Sequence, residues 1–281
     1  MTDNSRRISI MGIVNLTDNS YFPSSRCLDS HGDPDMHRVM GRTEQMISEG
    51  AGIIDIGACS TRPGSEPVGM EEEWRRLAPV LKEIRKQFPE TQISVDTYWA
   101  AVVQRTFDLI GDFIVNDISA GEDDPDMLAT TGRLGLKYIA MHKRGNPKTM
   151  QNLCEYDNIV EDILSYFKSF GTRADQAGIR EWILDPGFGF AKTVEQNYIL
   201  LSHLDRFCTL GRRILVGVSR KSMIYRLFNI TPEDALPQTQ VLHLAALERG
   251  ADILRVHDVA EAARTVAVWQ MLSQERTRQT E

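Results

Sequence analysis

Short apolar runs and longer amphipathic stretches alternate from one end of the chain to the other. The β-type runs fall at residues 8–14, 53–56, 93–96, 113–116, 137–141, 182–185, 214–218 and 253–256. Between them, apolar residues recur at helical spacing over roughly 36–49, 71–88, 100–110, 126–134, 158–177, 194–201, 235–249 and 259–274. In the second of these segments Trp74, Leu77, Val80, Leu81 and Ile84 form one stripe. Eight strand–helix alternations with no break in composition predict a parallel sheet with helices outside it. Eight such units close naturally into a (β/α)8 TIM barrel, here a single domain over residues 1–281. The alternative, an open doubly wound sheet, requires a Gly-rich phosphate turn after its first strand. Met11-Gly12-Ile13-Val14-Asn15-Leu16-Thr17 is no such turn.

Composition adds exclusions. With 42% hydrophobic and 25% charged residues in 281, the chain is an ordinary globular protein. A formal net charge of -7 argues against a nucleic-acid partner and against an anionic membrane. The N-terminal residues carry no apolar core of a signal peptide, and no apolar run approaches the roughly 20 residues of a bilayer span. Cys27, Cys59, Cys154 and Cys208 are scattered without a C-x-x-C pair. The expectation is reduced thiols in a cytoplasm rather than a disulfide framework or a zinc site.

In a barrel of this kind, chemistry sits at the C-terminal ends of the strands and in the loops that follow. Those positions hold Asn15, Ser60-Thr61-Arg62-Pro63-Gly64, Asp96-Thr97, Asn116-Asp117, Met141-His142, Asp185-Pro186-Gly187, Arg220-Lys221-Ser222 and Arg255-Val256-His257-Asp258. They sort into two sets. Asp96, Asn116 and Asp185 suit the edge of a planar heterocycle, because a carboxylate accepts two parallel N–H bonds and an Asn both donates and accepts. Capping of the following helix or turn is the competing reading for the two Asp residues. Arg62, Lys221, Arg255 and His257 suit a phosphate or pyrophosphate, with a solvated charged loop as the competing reading. Arg220 neighbours Lys221 and faces the other way, which makes it structural. Asn15 is a neutral oxygen ligand able to complete a Mg²⁺ shell made mostly of phosphate and water, or else a turn residue. Around Phe188, Gly187 and Gly189 let backbone approach a flat ligand. Phe190 and Met141 line a ring pocket or belong to the core.

Taken in order, these motifs resemble the dihydropteroate synthases, the folate-pathway members of the pterin-binding barrel superfamily. The resemblance covers essentially the whole chain. It runs through Met11-Gly12-Ile13-Val14-Asn15, Asp55-Ile56-Gly57, Ser60-Thr61-Arg62-Pro63-Gly64, Ser94-Val95-Asp96-Thr97, Val115-Asn116-Asp117-Ile118 and Met141-His142. It continues through Asp185-Pro186-Gly187-Phe188-Gly189-Phe190, Gly217-Val218-Ser219-Arg220-Lys221-Ser222 and Arg255-Val256-His257-Asp258. It implies the joining of 6-hydroxymethyl-7,8-dihydropterin pyrophosphate to p-aminobenzoate, with Mg²⁺ and loss of pyrophosphate. By position it implies a pterin pocket of Asp96, Asn116, Asp185 and Lys221, and a pyrophosphate and Mg²⁺ site of Arg62, Arg255, His257 and Asn15. Thr61, Pro63, Phe190, Lys221 and Ser222 would surround p-aminobenzoate, where sulfonamides compete. Met141, Gly187 and Gly217 complete the implied substrate-binding set. A homodimer is also implied, and apolar Val266, Val268, Trp269 and Leu272 near the C-terminus serve either that or the covering of the barrel.

One segment departs from the family pattern. The first loop usually reads Asn-Val-Thr-Pro-Asp-Ser-Phe-Ser-Asp-Gly-Gly, and here it is Asn15-Leu16-Thr17-Asp18-Asn19-Ser20-Tyr21-Phe22-Pro23-Ser24-Ser25. Asn19 and Pro23 replace the two acids, so Asp18 becomes the expected catalytic carboxylate of the loop, beside Lys221, Arg255, His257 and Arg62. Two other readings compete with an active synthase. One is a binding-competent relative with weak activity, motivated by this loop. The other is a pterin-barrel methyltransferase acting on a corrinoid protein, which has little use for a pyrophosphate cluster.

Overall fold

A parallel barrel follows from strands buried on both faces. The structure, a computed structural model, describes residues 6–17, 27–59, 68–146 and 149–278. Its strands are β1 (Ser9–Asn15), β2 (Ile53–Gly57), β3 (Gln92–Asp96), β4 (Ile114–Asp117), β5 (Lys137–Met141), β6 (Trp182–Asp185), β7 (Leu215–Val216) and β8 (Ile253–Val256). They pair in parallel in the order β6-β5-β4-β3-β2-β1-β8-β7. A parallel bridge between Leu184 and Ile214 joins the two ends and closes the barrel.

The helices around it are α1 (Met36–Ser48), α2 (Met70–Gln87), α3 (Ala100–Ile110), α4 (Met127–Leu134), α5 (Ile159–Ala177), α6 (Val194–Ser202), α7 (Ser222–Phe228), α8 (Leu236–Glu248) and α9 (Val259–Arg278). Their starts obey side-chain chemistry. Asp35 and Asn158 accept from backbone N–H groups of α1 and α5, and Thr193 with Gln196 forms a full capping box on α6. None of the helices among the described residues is long and apolar enough to cross a membrane.

Side chains alternate along each strand, and that alternation separates floor from site. Met11, Ile53, Ile114, Ile139, Ile183, Leu215 and Ile253 point inward and form their own apolar cluster, none more than 7% exposed. The intervening residues, among them Ile54, Ile56, Val95, Val115, Tyr138 and Leu184, face the helices in the larger core. Two positions beyond each floor residue, the same inward face carries Ile13, Asp55, Asn116, Met141, Asp185, Gly217 and Arg255, with Asp96 ending β3. The floor is oily and the layer above it polar. That step places the chemistry at the C-terminal mouth.

Two local expectations change. The predicted run 214–218 pairs as a strand only at Leu215–Val216, because the chain then turns, with Lys221 N–H donating to the Val218 carbonyl and Arg220 at φ 53°. The segment after it, read as a loop leading to one helix, contains the additional short helix α7.

Candidate active site

Arg255, from the end of β8, sits at the centre of the mouth. Its Nε donates to Asp55 Oδ2 at 2.7 Å and its Nη2 to Asp96 Oδ2 at 2.9 Å. Asp55 is fully buried and also accepts from Ser94 Oγ at 2.6 Å and from Asn116 Nδ2 at 3.2 Å. One carboxylate thus aims both Arg255 and Asn116. Because Asn116 spends its amide nitrogen on Asp55, its carbonyl oxygen is the atom it turns toward other groups. In the sequence, Asp55 belongs to the motif Asp55-Ile56-Gly57 and has no assigned role. The signal was there: a charge in the middle of Ile53-Ile54-Asp55-Ile56 must be paired if the run is buried.

The acids keep the mouth from being simply cationic. Burial raises the pKa of Asp185, against the opposing pull of Lys221 and Arg255, and its Oδ1 accepts from Gly187 N–H at 2.8 Å. Burial likewise raises Asp96, against Arg255. For Arg255, burial works against the charge, and Asp55 and Asp96 overcome it, leaving its pKa above the usual guanidinium range. Asp96, Asp185, Lys221 and Arg255 therefore influence one another electrostatically at the barrel mouth. The two chemical sets that the sequence separates are bridged here by Arg255, which the phosphate set supplies and the carboxylates of the other set hold.

Lys221 reaches this layer from the turn after β7. Its Nζ donates to the Phe188 carbonyl at 2.6 Å and lies 4.9 Å from the centre of the Phe190 ring. Burial pushes it down to about 8, with Asp185 opposing. Phe190 is half-buried, and Met141, in register with Asp185, is 4% exposed. Gly217 faces this space, its would-be Cβ 3.8 Å from Lys221 Nζ and 3.9 Å from Arg255 Cβ. Ser222 opens α7 beside Lys221.

His257 follows β8. Its backbone N–H donates to Ser219 Oγ at 3.3 Å, and the same oxygen lies 3.0 Å from its Nδ1. The Ser219 hydroxyl therefore ties the backbone and the imidazole of His257 together at one point. Burial pushes His257 down to about 3, so it is a neutral imidazole and not a fixed cation. Asn15 ends β1 opposite Gly57 of β2, and β1 also pairs with β8, the strand that leads to His257. Among the described residues no group of three or more His, Cys, Asp or Glu could hold a metal ion by itself. Arg220 is structural, as expected. It forms a two-pronged pair with Asp258 at 2.8 and 3.0 Å and donates to the carbonyls of Pro232 and Glu233. Thr61, Arg62, Pro63 and Asp18 lie outside the described residues.

A profile of the family described as pterin binding enzyme matches residues 11–257. The dihydropteroate synthase of Haemophilus influenzae is 39% identical over 93% of this chain and 92% of its own. The chain belongs to the dihydropteroate synthases. The Yersinia pestis dihydropteroate synthase, solved with a sulfonamide drug complex, superposes with a TM-score of 0.89 at 35% identity, covering 97% of this chain and 96% of that one. The Xanthomonas albilineans dihydropteroate synthase, solved with 4-aminobenzoic acid, gives 0.84 at 35% identity, covering 95% and 93%. As a dihydropteroate synthase the chain is a transferase.

Proposed function

We propose that this chain joins the methylene carbon of 6-hydroxymethyl-7,8-dihydropterin pyrophosphate to the amine of p-aminobenzoate, releasing 7,8-dihydropteroate and pyrophosphate. The observation that carries the reading is the convergence of Asp96, Asn116, Asp185, Lys221 and Arg255 in one layer above the apolar floor. Asp185 and Asp96 accept from the amine and ring N–H groups of the pterin, and the Asn116 carbonyl oxygen meets a donor on the same ring. Met141 packs on the ring face, and Gly187 and Gly217 let the ring approach backbone.

The pterin CH2–O bond breaks with its electron pair going to the pyrophosphate oxygen. Arg255, Lys221, a ring N–H of His257 and Arg62 stabilise the negative charge where it grows. The cation left on the methylene is delocalised into the pterin ring. The amine lone pair of p-aminobenzoate forms the new C–N bond, and the nitrogen then sheds its proton to solvent or to the released diphosphate. An arylamine is already unprotonated at neutral pH, so no strong base is required. Phe190, Ser222, Thr61 and Pro63 shape the p-aminobenzoate pocket, where a sulfonamide would compete. A hydrated Mg²⁺ fits the residues present, because Asn15 offers a neutral oxygen near His257 while the phosphates supply the anionic ligands. When bound, it neutralises charge on the leaving diphosphate.

The same reading has the enzyme working in the cytoplasm as a homodimer. On α9, Val266 is buried and Trp269 packs on the core, while Val268 and Leu272 are 54% and 47% exposed. Leu227 and Phe228 of α7, Val241 of α8 and Met271 of α9 are also exposed, and a second copy would cover such apolar surface.

Turnover of the pterin pyrophosphate with p-aminobenzoate tests the reaction, and withdrawing Mg²⁺ should weaken binding of that substrate more than binding of a pterin lacking the diphosphate. Pterin binding without product formation would favour a non-catalytic relative. Methyl transfer to a corrinoid protein would replace the proposal outright.

A further inference from the structure

We propose that Lys192 is a positioning residue of the pterin site, whose ammonium locks the loop of residues 185–190 to the exit of β5. Lys192 is 4% exposed and follows that loop by two residues. Its Nζ donates to the carbonyls of Gly187 and Phe190, each at 2.9 Å, and lies 3.2 Å from His142 Nδ1. An ammonium has three N–H bonds, and these acceptors use all three. No carboxylate among the described residues lies within ion-pair distance of it. Burial pushes its pKa down to about 7 and Asp185 pulls it back, and in the proposed lock the ammonium donates to the two carbonyls and to Nδ1.

The loop is shaped to receive this cation. Gly187, Gly189 and Ala191 all have positive φ, at 73°, 85° and 49°. In this backbone the carbonyls of Gly187 and Phe190 both turn to Lys192 Nζ. The loop is held at a second point, where Gly189 N–H donates to Asn197 Oδ1 at 2.7 Å. It is also pressed on β5, since a Cβ on Gly187 would come within 1.9 Å of the His142 carbonyl oxygen.

What the loop carries explains why its placement matters. Asp185 accepts from Gly187 N–H, Lys221 donates to the Phe188 carbonyl, and Phe190 underlies the Lys221 ammonium. His142 directly follows Met141. Lys192 therefore fixes, through backbone, the relative position of Met141, Asp185, Phe190 and Lys221 without touching the pterin. Burial, and then Lys192, push His142 down to about 2, so it is a neutral imidazole, and in the proposed lock its Nδ1 accepts from the ammonium while Nε2 carries the proton.

The inference rests on the pterin site proposed above. In wild-type protein, ¹⁵N spectra of the imidazoles should show His142 as the Nε2–H tautomer, with Nδ1 shifted by an accepted hydrogen bond. A protonated Nδ1 would overturn the proposal with no variant needed. Titrations of Lys192→Met and Lys192→Gln with a dihydropterin and separately with pyrophosphate give the second readout. Pterin affinity should drop about tenfold or more, while pyrophosphate affinity falls several-fold less, because Lys221 is held by this loop but His257 and Arg255 stand on another strand. Equal losses for both ligands, or none for the pterin, would reject the role. Should wild-type protein bind no pterin, the functional reading itself fails instead.

Discussion

Arg255 and Asp55, separated by 200 positions in the chain, meet at 2.7 Å through Nε and Oδ2 at the mouth of the barrel. The Asp55 side chain is fully buried and the Arg255 side chain 21% exposed. A buried pair of this kind does little for net stability, since desolvation offsets most of the attraction. Its value is geometric, because the carboxylate that holds Arg255 also holds Asn116 and Ser94. Aiming those side chains costs nothing further when the substrate arrives.

Asp55→Asn keeps the shape and removes the charge. Arg255 then retains Asp96 alone, and Asn116 faces an amide in place of a carboxylate. Product formation should fall about a hundredfold or more, and unfolding free energy should drop by about 3 kcal/mol. Steady-state turnover and denaturant unfolding check the two effects. Near-normal turnover in a destabilised variant would make Asp55 a structural residue only.

Much of this arrangement is readable from the chain, and the rest fails for definable reasons. Strand exits such as Asp96, Asn116 and Asp185 are visible because a polar residue ends an apolar run. Asp55 is hidden because it stands inside one, two positions after Ile53, where only the inward face of a closed barrel makes a charge useful. Lys192 hides in a loop, since nothing in Ala191-Lys192-Thr193 says that its ammonium turns back to the carbonyls of residues 187 and 190. The run 214–218 reads as a strand because Val218 is as buried as Val216. Burial by a packed turn and burial by a sheet leave the same apolar pattern. Arg255 goes to the phosphate set by charge alone, and its bonds to Asp55 and Asp96 appear only when β8 lies near β2 and β3.

Asp185 is the most direct test of ring-edge recognition. Asp185→Ala removes a buried carboxylate that receives one bond from Gly187 N–H and has acceptor capacity left for a ligand. Pterin binding should weaken by about 1.5–3 kcal/mol, roughly ten- to a hundredfold. Calorimetric titration with a dihydropterin measures this without turnover. Unchanged affinity would mean that Asp185 serves its own loop and not the ring.

The alkaline limb of the rate profile should belong to Lys221. Its ammonium assists the leaving group, and burial pushes its pKa down to about 8. The free-enzyme profile of kcat/KM should therefore decline above about pH 8. Stability responds with the opposite sign. Between about 8 and the unfolded value near 10.4, the unfolded chain holds a proton that the folded chain has released, so this group makes folding more favourable as pH rises. Lys221→Arg should move the limb beyond the measurable range even if it lowers the rate. A limb that stays near 8 would assign it to another group.

Asp18 carries the question raised by the altered first loop. β1 ends at Asn15, Leu16 N–H donates to the Gly57 carbonyl at 2.8 Å, and Leu16 and Thr17 are 0% and 5% exposed. The chain is thus anchored at the end of β1 up to Thr17. Asn19 and Pro23 cannot supply the negative charge that the family places in this loop, and Asp18 can. In the proposed reaction such a charge would stabilise the methylene cation once pyrophosphate has begun to leave, and so act on the transition state more than on the bound substrate. Asp18→Ala should lower kcat by about tenfold to a hundredfold and leave the pterin dissociation constant within about twofold. Rapid-quench turnover beside equilibrium titration separates these quantities. If kcat is unchanged, the cation is stabilised without this loop.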